Sequence, residues 1–157
     1  KIIVICTCNK DERNIINFLN KCDLSDFFII LSPHPYFIEE STLEFNNNFK
    51  YKFKVFNDLS TREVISAADL VITGNSSVGL EVLLRKGKVL KVFDGSSLDF
   101  SDQHDQIPLI NSPKDFKKYL KKKNFVSSLK IKKVEKDLVC KFDNKTYLRF
   151  WKIVDQL

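Results

Sequence analysis

The chain has 157 residues, of which 43% are hydrophobic and 29% charged, and its formal net charge is +6. This length allows one domain with its own hydrophobic core, and the composition is that of a globular protein, not a disordered one. No apolar run approaches the ~20 residues needed to cross a bilayer. No signal-peptide pattern is present either, so the cytoplasm is the expected compartment. Because the sequence contains no methionine, we interpret it as a piece of a longer protein.

The pattern of apolar residues predicts strands that alternate with helices. In the first part of the chain the predicted elements are a strand over Ile2 to Thr7, a helix over Glu12 to Lys21, a strand over Phe27 to Leu31, a short helix over Phe37 to Leu43 followed by an asparagine-rich loop, and an edge strand over Tyr51 to Phe56.

The second part continues the alternation. Its predicted elements are a helix capped by Ser60 and Glu63, a strand over Leu70 to Thr73, a helix from Ser77 to Arg85 that stops at Gly87, a strand over Val89 to Phe93, a short strand over Ile107 to Ile110, a helix begun by Ser112 and Pro113, and a last helix over about 144 to 156. Such an order predicts an α/β fold, a Rossmann-like doubly wound parallel sheet with helices on both faces. We expect one domain over residues 1–157.

Polar turns follow three of these strands, at Cys8 to Asp11, Ser32 to Pro35 and Gly74 to Ser77. In a parallel sheet the carboxyl ends of the strands share one edge, and ligands bind there. We therefore expect the three turns to converge on one site.

The segment Gly74-Asn75-Ser76-Ser77 joins a buried strand directly to a helix. The first N–H groups of a helix have no partner within the helix and attract anions, phosphate above all. Ser76 and Ser77 add hydroxyl groups, and Gly74 allows close approach of the backbone. The pattern indicates a phosphate-bearing ligand such as a nucleotide. The alternative is that one serine simply caps the helix, which would give the same pattern.

His34 stands between Pro33 and Pro35 at the end of a buried strand. The two prolines restrict its backbone, and a rigidly held imidazole suits a phosphate contact or a general acid for a departing phosphate. Glu81 lies one helical turn beyond Ser77, where its carboxylate would reach the ribose of a bound nucleotide. Ser60 and Thr61 would either face the base or ribose or only cap their helix, and His104 has no comparable setting.

The sequence lacks the motifs that are typical of several other classes of binding site. There is no GxGxxG motif after the first strand and no GxxxxGK[ST] motif anywhere. The four cysteines (Cys6, Cys8, Cys22 and Cys140) have no zinc-ligand spacing, so we interpret them as reduced thiols. We expect no metal and no cofactor.

A lysine-rich region extends from Lys114 to Lys136. It is either a solvated helix face or a basic surface for an anionic polymer or membrane. No nucleic-acid motif supports nucleic acid as a partner.

Three segments together resemble the C-terminal, donor-nucleotide-binding half of GT-B glycosyltransferases. They are the strand that ends in His34-Pro35, the segment LSTREVISAADLVITGNSSVGLEVLL from Leu59 to Leu84, and the strand KVLKVF. The resemblance covers about residues 1 to 110. It is closest to bacterial capsule and sialyltransferase-like enzymes with a His-Pro and a Ser-Ser motif; CDP-glycerol glycerophosphotransferases and non-hydrolysing UDP-N-acetylglucosamine 2-epimerases are similar at lower strength.

The resemblance implies a role for each matching residue. His34 would contact the donor phosphate and assist departure of the nucleotide, Ser76 and Ser77 would hold the phosphate, and Glu81 would take the ribose. The general base would lie on a missing N-terminal domain, so the chain would bind nucleotide without turnover.

The sequence leaves three functional readings open. The first is the donor-binding domain of a glycosyltransferase that moves a sugar from a CMP- or UDP-linked donor to a glycan acceptor in surface polysaccharide synthesis. The second is a glycerophosphotransferase or epimerase relative. The third is a non-catalytic module that binds an anionic polymer or the inner face of the membrane through its lysine-rich region.

Overall fold

The structure is a computed structural model that describes residues 1–7, 12–74, 76–92 and 107–121. Its elements in chain order are β1 (Ile2–Thr7), α1 (Glu12–Leu19), β2 (Phe28–Pro33), a 3-10 helix (Pro35–Phe37), α2 (Ile38–Asn48), β3 (Lys54–Val55), α3 (Thr61–Ser66), β4 (Leu70–Thr73), α4 (Ser77–Leu84), β5 (Val89–Val92), β6 (Leu109–Ile110) and α5 (Pro113–Lys121).

The strands form one six-stranded sheet in the order β3-β2-β1-β4-β5-β6, and every pairing between neighbours is parallel. The predicted Rossmann-like doubly wound sheet is thereby confirmed. The direction of strand order reverses between β1 and β4, which are hydrogen-bonded neighbours with Cys6 opposite Thr73. In open α/β sheets the ligand crevice lies outside the carboxyl ends of the strands at this reversal.

The two faces of the sheet are buried against different helices, because successive residues of a strand point to opposite faces. On β1, Ile3 and Ile5 belong to a core cluster that also contains buried residues of α1, α2 and α5. Val4 and Cys6 belong to a second cluster with buried residues of α3 and α4. Burial on both faces explains why β1 and β4 are continuous apolar runs in the sequence.

Helix α2 is longer than the sequence predicts, because it extends through the asparagine-rich segment to Asn48. The asparagines are weak helix formers, but Phe45 directly precedes them and is fully buried in the core. Burying a phenylalanine side chain contributes about 1.5–3 kcal/mol, which outweighs the poor propensity of its neighbours. Asn48 also donates from Nδ2 to the carbonyl of Glu44 at 3.1 Å, which satisfies one of the last carbonyls of the helix.

Two of the predicted strands are shorter in the structure. The edge strand β3 comprises only Lys54–Val55, the residues that pair with Ile30 and Leu31 of β2. The last strand is Leu109–Ile110 instead of 107–110. Residues 8–11, 75, 93–106 and 122–157 lie outside the described ranges, and with them the predictions for Asn75, His104, the last helix and most of the lysine-rich region.

The end of α4 also differs from the prediction, which placed the stop at Gly87. Lys86 has the left-handed backbone conformation, with φ of 61°. Its N–H donates to the carbonyl of Leu83 at 2.9 Å, and the N–H of Gly87 donates to the carbonyl of Val82 at 2.9 Å. These two hydrogen bonds form a Schellman motif, in which the left-handed position is one that glycine most often occupies.

Candidate functional site

The carboxyl ends of β1 and β4 place two buried threonines at the point where strand order reverses. Thr7 is 4% exposed and Thr73 is fully buried. Within the described ranges, neither hydroxyl has a hydrogen-bond partner. A buried hydroxyl without a partner costs free energy. These residues are not among the predicted site residues, because a threonine at the end of a strand carries no signal of its own.

Helix α4 begins at the same edge, directly after β4. Ser76 is its N-cap, with an extended backbone, and its Oγ accepts a hydrogen bond from the N–H of Val78 at 3.3 Å. Ser77 is exposed and Gly74 is buried. The predicted capping role of a serine is therefore present. A cap and an anion use the same N–H groups, and a ligand can take the place of the Ser76 hydroxyl.

Close packing holds α4 against the sheet. A Cβ atom at Gly79 would lie 2.6 Å from Cδ1 of Ile107 and 3.0 Å from Cγ2 of Thr73. A side chain at this position would force Ile107 to shift before the helix could approach the sheet this closely. Buried Leu80 and Leu83 contribute to the same face. The packing fixes the start of α4 relative to the end of β4.

His34 follows β2 and is exposed. Its N–H donates to the carbonyl of Thr7 at 3.0 Å, which ties it to the end of β1. Its Nδ1 accepts from the N–H of Tyr36 at 3.3 Å, and its ring stacks on that of Tyr36 with centroids 5.4 Å apart. A neutral imidazole that accepts at Nδ1 carries its proton on Nε2. The local structure thus holds His34 with a donor available on the outer nitrogen.

His34 and the start of α4 lie on either side of β1. Pro33 is opposite Thr7 in the β1–β2 pairing, and Cys6 is opposite Thr73 in the β1–β4 pairing. Neighbouring strands are about 4.8 Å apart, so the ends of β2 and β4 are separated by about 10 Å. The end of β1 lies between them, so a ligand over that end is flanked by the ends of both strands.

Glu81 forms ion pairs with two arginines. Its Oε1 lies 3.1 Å from Nε of Arg62 on α3 and 2.7 Å from Nη2 of Arg85, one turn along α4. Arg85 also donates from Nη1 to Oγ of Ser66 at 3.3 Å. The two arginine partners of Glu81 are not predicted from the sequence, because the position of Arg62 depends on how α3 packs beside α4. The structure gives Glu81 a fixed orientation and a structural role in joining the two helices.

Ser60 is the N-cap of α3 and completes the predicted capping box. Its Oγ accepts from the N–H of Glu63 at 3.3 Å, and its own N–H donates to Oε2 of Glu63 at 2.8 Å. The hydrogen bonds from Ser60 lower the pKa of the Glu63 carboxyl. The capping alternative for Ser60 is therefore present in the structure. Thr61 is the first residue of α3 and half-buried.

A buried acid near the site was not predicted as part of it. Glu12 is 6% exposed and is the first residue of α1, where the helix N-terminus favours a negative charge. Its Oε1 accepts from Oγ of Ser41 on α2 at 2.7 Å. The contact joins the first turn of α1 to α2, next to the carboxyl edge.

The described part of the chain contains neither a group of metal ligands nor a helix that could cross a membrane. No group of three or more histidine, cysteine, aspartate or glutamate side chains is placed to hold a metal ion within the described ranges. Among those same residues, no helix has both the length and the apolar character of a membrane-crossing segment.

Comparison with known proteins gives likeness in structure only. No family model matches the sequence, and no curated protein sequence matches it. The solved structures of the wall teichoic acid polymerase TagF are similar. One, a variant soaked with CDPG, superimposes with a TM-score of 0.55 at 19% identity, over 99% of this chain and 42% of that chain. Another has a TM-score of 0.54 at 20% identity, over 99% and 43%. The chain therefore spans less than half the length of these proteins and shares the fold of one part of them.

Proposed function

We propose that this chain is the donor-binding half of a transferase that uses a nucleotide-activated donor. One observation carries the proposal: exposed His34 and the N-terminus of α4 lie on either side of β1, at the edge where strand order reverses. Doubly wound sheets bind nucleotides at this position. The resemblance in sequence to GT-B enzymes and the likeness in fold to TagF both support the assignment.

The chemistry follows from the groups on the two sides of β1 at this edge, the start of α4 and His34. The N–H groups at the start of α4, with the hydroxyls of Ser76 and Ser77, bind the donor phosphate. Negative charge develops on that phosphate as the transferred group leaves, and the fixed dipoles of the helix end stabilise it. His34 donates the proton of Nε2 to the same phosphate and acts as the general acid.

Glu81 takes the ribose hydroxyls in this proposal. Its two arginine partners both contact Oε1, which leaves Oε2 as the oxygen for a ribose hydroxyl. Arg62 and Arg85 then act as positioning residues, since they fix the orientation of the carboxylate. Gly74, Asn75, Ser60 and Thr61 complete the proposed donor site.

The donor class has two candidates. The first is a CMP- or UDP-linked sugar that is transferred to a glycan acceptor in surface polysaccharide synthesis. The second is glycerophosphate transfer from CDP-glycerol, and a specific observation favours it: the fold is similar to that of TagF, a wall teichoic acid polymerase whose structure was determined with CDPG. In either case the general base lies on a further domain, and the reaction takes place in the cytoplasm or at the inner face of the membrane.

The experiment is a calorimetric titration of the chain with CMP, CDP, UDP and GDP, repeated on Ser76→Asp. Aspartate caps a helix as well as serine does, so the fold is kept while a negative charge enters the phosphate site. We expect one nucleotide to bind saturably and Ser76→Asp to weaken it roughly tenfold or more, since like charges about 4 Å apart near a surface repel by several kcal/mol.

Asn47→Asp is the matched control. It adds the same charge at an exposed position near the end of α2, on the opposite edge of the sheet. The control is expected to bind like the unmodified chain. If no nucleotide binds, or if both variants weaken binding equally, the proposed phosphate site at α4 is wrong.

A further inference from the structure

A groove on the opposite edge of the sheet has a composition of its own. It is lined by residues 45–46 and 49–54, at the end of α2 and the approach to β3, and encloses roughly 460 Å³. We call it the lysine-aromatic groove. Helix α2 ends and β3 begins here, so the groove lies on the amino edge, away from His34 and Ser76. None of its residues takes part in the proposed donor site.

The floor of the groove is a cluster of packed aromatic rings. Phe45 and Phe49 are buried, with ring centroids 5.3 Å apart, and Phe53 lies 5.7 Å from Phe45. The ring of Tyr51 lies 5.6 Å from Phe49, and its hydroxyl donates to the carbonyl of Cys22. Tyr51 and Phe53 are only half-buried, so they still offer apolar ring surface to a ligand.

The rim of the groove is positively charged. Lys50, Lys52 and Lys54 alternate with the aromatic residues, and all three are exposed. Nζ of Lys50 lies 4.7 Å from the centroid of the Tyr51 ring. Within the described part of the chain, none of these three lysines forms an ion pair with a carboxylate at 4 Å or less.

One acidic side chain, Asp23, interacts with the rim and offsets only part of its charge. Hydrogen bonds from Ser25 lower the pKa of Asp23, and the positive charges of Lys117 and Lys50 lower it further. Asp23 thus faces two cations, one of them on α5. The balance on this edge remains positive, which complements an anionic partner.

Protection of the sheet edge does not account for all three lysines. Lysine on an edge strand prevents pairing with other chains, and Lys54 on β3 can serve this purpose. Lys50 and Lys52 precede the strand and protect no strand edge. Their common property is a place on the rim of one groove.

We propose that the lysine-aromatic groove binds a linear anionic glycan. Charges two residues apart are separated by at most about 7 Å along the backbone, which suits a chain that carries a negative group on successive sugar units better than a single phosphate. Half-buried aromatic rings give the apolar faces of sugar rings a surface to contact. The identification of this glycan as the acceptor rests on the proposed transferase function, whereas its binding does not.

The distance between the groove and the donor site indicates how glycan binding would assist transfer. A strand of six residues such as β1 spans about 20 Å, so a glycan held at the amino edge reaches the donor site only if it is long. The groove would therefore retain long acceptor chains near the site by raising their effective concentration, and short chains would gain nothing from it.

The test uses oligogalacturonate, which carries one carboxylate on each sugar, and its methyl ester, which has the same backbone without charge. Binding is measured by calorimetry with the unmodified chain and with the triple variant Lys50→Gln/Lys52→Gln/Lys54→Gln. We expect the long acid to bind, and its methyl ester and the two-sugar acid to bind far more weakly. The triple variant should lose about tenfold in affinity, since each of the three exposed charges contributes only modestly.

A second triple variant, Lys114→Gln/Lys118→Gln/Lys121→Gln, is the matched control, because it removes the same charge from exposed positions of α5. Equal loss of binding in both triple variants would overturn the proposal, as would equal binding of the methyl ester. Tighter binding of single-stranded DNA or of vesicles with anionic lipid would assign the groove to another partner and overturn it as well.

The same variants separate this proposal from the proposed function. The groove variant is expected to bind nucleotide like the unmodified chain, and Ser76→Asp to bind the glycan normally. If no nucleotide binds while the glycan binds through the groove, the transferase proposal fails and the glycan site stands. If the nucleotide alone binds, the glycan site fails.

Discussion

The left-handed conformation of Lys86 is the one strained backbone position among the described non-glycine residues. A residue with a Cβ pays roughly 1–2 kcal/mol there, whereas glycine does not. The cost is offset because the Schellman hydrogen bonds from Lys86 and Gly87 satisfy two carbonyls at the end of α4. Strain at one residue thus fixes the direction in which the chain enters β5.

We predict that Lys86→Gly stabilises the protein by about 1 kcal/mol, because it removes the Cβ from a left-handed position. The measurement is the urea concentration at the midpoint of unfolding, with the slope of the transition unchanged. Lys118→Gly is the control, since it lies inside α5 and is expected to destabilise by about 1 kcal/mol. A lower midpoint for Lys86→Gly would contradict the prediction.

At the scale of single residues, the sequence identifies those whose role is local. The cap at Ser76 and the capping box of Ser60 follow from spacing alone and are present in the structure. Glu81 is different, because one of its two partners is Arg62, 19 positions away. The buried hydroxyls of Thr7 and Thr73 depend on which strands are neighbours. No local pattern reveals such contacts.

Helix α3 depends on its capping box, because it is only six residues long. Short helices are marginal in water and need stabilisation from their ends or from packing. Oε2 of Glu63 accepts hydrogen bonds from the N–H of Ser60 at 2.8 Å and from its Oγ at 2.6 Å. The helix is therefore coupled to the charge of one exposed carboxylate.

We predict that part of the stability of the protein is lost as the pH falls through the titration of Glu63. Its pKa is lower in the folded state than the usual 4.5, because Ser60 donates to the charged form. The unfolded state then binds the proton first, so this contribution is complete above pH 4.5 and disappears as the pH falls through the folded pKa. The measurement is the free energy of unfolding against pH for the unmodified chain and Glu63→Gln.

The variant Glu63→Gln is expected to show a flatter dependence on pH over this range. Glu40→Gln is the matched control, since Glu40 is an exposed glutamate in the first turn of α2. It should follow the unmodified chain more closely than Glu63→Gln does. Identical curves for the unmodified chain and Glu63→Gln would show that the capping box contributes nothing.

At the scale of elements, the sequence predicts where the strands and helices lie, and tertiary contacts decide where they end. The central strand Leu70–Thr73 agrees at both ends because its burial on both faces leaves a clear apolar run. Helix α2 does not agree, because its last turn is stabilised by burial of Phe45 and not by local preference. The edge strand β3 is short because only two of its residues find a partner on β2.

For the molecule as a whole, alternation of strands and helices and the right-handed crossover between parallel strands restrict the topology to few choices. The sheet order places β1 and β4 at its centre, and the proposed donor site follows from that order. The lysine-aromatic groove does not follow from topology. Its residues alternate visibly in the sequence, but only the end of α2 supplies Phe45 and closes the groove.

The same sheet order predicts which strands unfold locally first. Strand β1 has neighbours on both sides and is buried on both faces. Among the strands that the structure describes, β3 and β6 are two-residue edges with one neighbour each. We predict that native-state hydrogen exchange is slowest for the amides of β1 and β4 and fastest, among strand amides, for β3 and β6, because local opening starts where few buried contacts are lost. Exchange measured by NMR under conditions where opening is at equilibrium would test this order. Equal protection of β3 and β1 would mean that the sheet opens as one unit, and that the lysine-aromatic groove is as rigid as the donor site at its centre.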